Sequence, residues 1–66
     1  MAIGSNVKAR REQRGLTQEE LAKIAGVATT TISSIEVDYR LPSVKVAKKL
    51  ARALRCSVDQ LLKELE

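Results

Sequence analysis

Residues 17–36, TQEELAKIAGVATTTISSIE, decide how the chain is read. Thr17 is a good N-cap, because its hydroxyl can accept an orphan amide of the first helical turn. Glu20, three residues on, completes a capping box. Leu21, Ile24 and Ala25 recur at helical spacing and are expected to mark one buried face. Ala22 sits where a second helix must cross closely. Gly26 takes positive φ without steric cost, so it suits the end of the first helix and the turn, with Val27 tucked beneath. Ile32 and Ile35 form the apolar side of a second helix. Thr29, Thr30, Thr31, Ser33 and Ser34 give that helix an outer face of short, uncharged hydrogen-bonding groups.

Two helices of about eight residues meeting steeply across a turn of ~3–4 residues follow the logic of a helix-turn-helix. The second helix needs short polar side chains, because the major groove is only about 12 Å wide. A generic hairpin from a small helical bundle is the competing reading. Any one of these residues fits it, whereas the joint placement of cap, Ala, Gly, Val and two Ile favours the DNA-binding unit.

The rest of the chain bounds that reading. With 66 residues it is expected to be one domain, residues 1–66. Such a domain buries only about 60% of the surface its unfolded chain exposes. Tyr39 is the single aromatic, which argues against base stacking on single strands or RNA. The net charge of +4 suits a polyanionic partner, although charge alone also serves solubility. Cys56 is a lone cysteine and there is no His. A disulfide framework, a metal site and the usual general base are therefore not expected. Cys56 reads as a small core residue, with a redox switch as the alternative. No apolar run or signal-peptide pattern is present, so no membrane partner and a cytoplasmic location are expected.

Upstream of the organising stretch, residues 1–4 read as a lead-in, with Ile3 packing onto the domain. Ser5 or Asn6 then caps a basic helix carrying Val7 and ending near Arg14. Gly15 terminates it and Leu16 returns to the core. Downstream, residues 37–41 read as a loop, and Pro42 biases Leu41 to an extended backbone. Ser43 caps a helix over 43–54 with Val44, Ala47, Leu50, Ala51 and Leu54 on one face. Lys45, Lys48, Lys49 and Arg52 read as a solvated face, with phosphate contact by one or two of them as the alternative. Ser57 caps a last helix over 57–65, where Val58, Leu61, Leu62 and Leu65 share one side.

With these residues in hand, the chain resembles the phage-repressor and Cro-type helix-turn-helix family, also called the xenobiotic-response-element type. The matching segments are RGLTQEELA after Arg11, then AGV, TISSIE, Pro42-Ser43 and the closing AxALxxSxDxLL pattern, together covering about Ile3 to Leu65. The resemblance implies an all-α, compact five-helix lambda-repressor-like DNA-binding domain with the helix-turn-helix as helices 2 and 3. It also implies roles for particular residues. Gln18, Thr29, Thr30, Ser33 and Ser34 are candidates for base reading. Thr17, Thr31, Tyr39 and Arg40 are candidates for phosphate contact. Arg11 and Glu36 resemble the family's internal ion pair, which positions and does not read. Leu62 and Leu65 are candidates for a homodimer interface.

Four positions depart from the family pattern. Ala28 replaces the usual Ser or Thr cap of the recognition helix. Asp38 stands where Gly is usual, and its charge is expected to disfavour a tight phosphate contact by that loop. Arg10 replaces an apolar residue, so its stem is expected to run along the core with its head in water. Arg55 replaces a turn Gly or Asn.

The function expected is a sequence-specific double-stranded DNA-binding transcriptional regulator, read as a repressor, bound as a dimer to a palindromic operator. The alternative is an antitoxin-like or other protein-interaction module, whose basic face meets an acidic partner and whose DNA binding is secondary. An enzyme is not expected: there is no His, Gly-rich phosphate loop or nucleophile–base pair. No cofactor and no small-molecule substrate are indicated.

Overall fold

The computed structural model describes residues 3–62. Five helices and no strand are present among them: α1 (Ile3–Gln13), α2 (Gln18–Ala25), α3 (Thr29–Glu36), α4 (Val44–Ala53) and α5 (Val58–Leu62). α2 packs on α3 and α4, α1 on α3 and α5, and α4 on α5. The core lies where these helices meet. Val7, Leu21, Ile32, Ile35, Leu50 and Leu61 are fully buried there, with Leu16, Val27, Val46, Cys56 and Val58 packed around them.

The helix starts follow their side chains. Thr17 Oγ accepts from Glu20 N at 3.0 Å while Glu20 Oε1 accepts from Thr17 N at 2.8 Å. Ser57 and Gln60 make the same reciprocal pair at the start of α5. Ser43 caps α4 by accepting from Val46 N. Ala28 has the extended backbone of a cap, φ −74° and ψ 147°, but no side-chain bond to offer.

The helix ends share one device. After α1, α2, α3 and α4 a left-handed residue turns the chain: Gly15, Gly26, Asp38 and Arg55, all with φ between 58° and 75°. In each case the following amide donates back across the last turn, as Tyr39 N does to Ser34 O (2.9 Å) and Cys56 N to Ala51 O (2.9 Å). At Arg55 no short polar side chain eases a conformation that costs an ordinary residue roughly 1–2 kcal/mol.

Three sequence expectations are corrected. α1 begins at Ile3, so Gly4, Ser5 and Asn6 are helical and neither Ser5 nor Asn6 is its cap. Asn6 instead reaches α5, donating from Nδ2 to Gln60 O (2.9 Å) and Leu61 O (2.7 Å), which ties α1 to α5. Ile24 is 57% exposed. The buried stripe of α2 is Leu21, Ala22 and Ala25; at about 100° per residue Ile24 falls roughly 100° from its centre. Val44 is also exposed. It lies on the stripe of α4, but on the first turn, beyond the core that starts at Ala47.

Candidate nucleic-acid interface

α3 is divided lengthwise. Ile32 and Ile35 point into the core with no exposed area, and Glu36 is also buried. Thr30 is exposed, while Thr29, Thr31, Ser33 and Ser34 are half-buried at the flanks. The hydroxyl side of the helix therefore faces outward, as a rod entering a groove requires. Thr17 is exposed and Gln18 half-buried at the start of α2. Tyr39 and Arg40 are exposed on the loop after α3, and their amides close that helix on Ser34 O.

Beneath this surface runs a connected polar chain. Arg11 Nε donates to Glu36 Oε2 at 2.7 Å and Arg11 Nη2 to Glu36 Oε1 at 3.2 Å. A third guanidinium nitrogen, Nη1, donates to Leu16 O at 2.6 Å. Gln18 Nε2 donates to Glu36 Oε1 (3.0 Å), and Ser33 Oγ donates to Gln18 Oε1 (2.8 Å). The two-pronged pair on buried Glu36 is a charge-assisted fork. Hydrogen bonding to Glu36 raises the Arg11 pKa above its ordinary value, against the opposing effect of burial. Arg11 is on α1, Gln18 on α2, and Ser33 and Glu36 on α3. The chain thus fixes the angle at which α3 is presented.

That geometry refines two candidate base readers. Gln18 and Ser33 already hold each other, so each offers only its remaining donors and acceptors outward. Both are held as a unit rather than as two free side chains.

A second positioning contact was not visible in the sequence. Gly4 N donates to Asp38 Oδ1 at 3.2 Å, so the loop after α3 caps the start of α1. A Cβ on Gly4 would lie 2.5 Å from Ile35 O, 2.6 Å from Asp38 Oδ1 and 2.8 Å from Glu36 O. The helices meet this closely because residue 4 has no side chain. Asp38 takes φ 61°, a left-handed conformation that Asp tolerates better than most residues. Its negative charge lies at the positive end of α1. Arg10 is half-buried and donates from Nε to Asn6 Oδ1 (3.2 Å).

Of the proposed pairing residues, Leu65 and the side chain of Leu62 lie outside the described residues. Among the described residues no cluster of His, Cys, Asp or Glu is placed to hold a metal ion, and no helix is long and apolar enough to cross a membrane.

A helix-turn-helix family model matches residues 7–61. The chain belongs to the phage-repressor and Cro-type helix-turn-helix family. It is 40% identical over 63 residues to the HTH-type transcriptional regulator SinR of Bacillus subtilis, covering 94% of this chain and 57% of SinR. The chain thus spans little more than half the length of that relative. Among solved structures, SinR in complex with DNA superposes with a TM-score of 0.87 at 39% identity, covering 91% of this chain and 97% of that one. The P22 c2 repressor protein in complex with a synthetic operator superposes with a TM-score of 0.89 at 35% identity, covering 94% of each chain. The family and these relatives are DNA-binding transcriptional regulators, not enzymes.

Proposed function

We propose that the chain acts as a single helix-turn-helix DNA-binding domain of a transcriptional repressor, bound as a symmetric dimer to a palindromic operator. The observation that carries this is the outward hydroxyl face of α3, with its two isoleucines locked in the core beneath. The DNA complexes of SinR and the P22 c2 repressor, similar along nearly the whole chain, support it.

In this reading labour is divided. Lys and Arg neutralise phosphates and supply the sequence-independent affinity. Thr29, Thr30 and Ser34, with the Gln18–Ser33 unit, meet base edges; threonine methyls meet thymine methyls. Thr17, Thr31, Tyr39 and Arg40 meet the backbone and set register. Short side chains make few two-pronged base contacts, so water and DNA shape carry part of the specificity. Leu62 and Leu65 are the proposed dimer contacts, and a dimer would set two α3 helices about 34 Å apart.

A salt series tests the electrostatic part. Affinity for duplex DNA should fall linearly on a log–log plot against salt, and Arg40→Ala should reduce the slope by about one. Affinity unaffected by salt contradicts the reading.

A further inference from the structure

A groove of about 450 Å³ lies away from the hydroxyl face of α3, and no α3 residue lines it. Its volume falls within the ~300–1,000 Å³ range of ligand clefts. Three helix C-terminal ends border it: Arg14 follows α1, Ile24 and Ala25 close α2, and Lys49, Arg52 and Arg55 belong to the end of α4 and its turn. The four cations are exposed, and none is ion-paired among the described residues.

Cations beside helix C-termini offset the macrodipole, which accounts for Arg14, Arg52 and Arg55 taken singly. It does not account for Ile24, a large aliphatic side chain 57% exposed among them. Cations around an aliphatic centre complement a ligand with the reverse pattern. Because the charges come from different elements, several spaced carboxylates are needed to meet them, which a peptide supplies and a single small anion does not. A nucleic-acid backbone fits less well. Its phosphates would meet the cations, but it brings no aliphatic group to seat on Ile24.

We propose that this groove docks an acidic segment of a second protein that carries one branched apolar side chain, seated on Ile24 between Arg14, Lys49, Arg52 and Arg55. This goes beyond operator binding and does not depend on it, since the groove and the hydroxyl face share no residue.

The test is an amide-resolved NMR titration of the full chain with three probes. These are a capped peptide of glutamates around one leucine, the same peptide with serine for leucine, and a random-sequence duplex. The leucine peptide should give saturable shifts confined to Arg14, Lys23 to Ala25 and Lys49 to Arg55. It should bind roughly tenfold more tightly than the serine peptide, the gain expected of one seated apolar anchor. Ile24→Ser should abolish that preference. Arg55→Asn, which keeps a residue tolerant of positive φ, should weaken both peptides. Absent or scattered shifts, equal binding of the two peptides, or displacement of the leucine peptide from these amides by the random duplex would each overturn the proposal.

Discussion

The Asp38 carboxylate holds the first turn of α1 through the Gly4 amide, at 3.2 Å. The residue that turns the chain after α3 therefore also holds the first turn of the helix packed behind it. Backbone oxygens of Ile35 and Glu36 crowd the same spot. Gly4→Ala should destabilise the fold by about 1–3 kcal/mol, the cost of forcing a methyl into a packed site. Urea unfolding monitored by circular dichroism measures it. Asp38→Asn should be milder, because Asn retains an acceptor and tolerates left-handed backbone. An unchanged midpoint for Gly4→Ala would show that α1 does not approach α3 so closely.

Glu36→Ala should be more severe. It takes the carboxylate acceptor from Arg11 Nε and Nη2 and from Gln18 Nε2, leaving Arg11 only Leu16 O and Gln18 only Ser33 among these bonds. Breaking one side of a buried pair costs about 3–5 kcal/mol, against a total of roughly 3–10 kcal/mol for 66 residues. Much of the population should be unfolded at 25 °C by circular dichroism. The Arg11 side of the pair should be insensitive to pH across the neutral and mildly alkaline range. Its folded pKa lies above the ordinary arginine value, so its contribution is fully present below that value and lost only as pH rises through the higher one.

Much of this could be read from residue types and spacing. Thr17 with Glu20, Gly26 in left-handed backbone, and Ile32 with Ile35 all act locally, and local rules suffice for them. The two exposed aliphatics were not legible for geometric reasons. Ile24 lies outside the buried stripe of its helix, and Val44 lies past the end of the body it would cover. The start of α1 depends on Asp38, 34 residues away, and no local cap signal reports such a contact. The Ser57–Gln60 box, in contrast, was present as a Ser-x-x-Gln spacing.

Ala28 leaves the first amides of α3 without a side-chain acceptor, although its backbone already has cap geometry. Ala28→Ser should stabilise the chain by about 1 kcal/mol, since the hydroxyl enters a conformation already adopted. A rise in thermal midpoint of several degrees is expected for a domain of this size. No rise would mean that solvent already satisfies those amides equally well.

We propose that the outward hydroxyls of α3 read bases. Selection of bound sites from a random duplex pool, run in parallel for the wild-type chain and Thr30→Ala, tests it most directly. Thr30 is the exposed member of that face, the others being half-buried. The wild type should select a defined, two-fold-related site, and the variant should show a changed base preference within each half-site. Identical preferences for the two proteins, or no enriched sequence for the wild type, would contradict it.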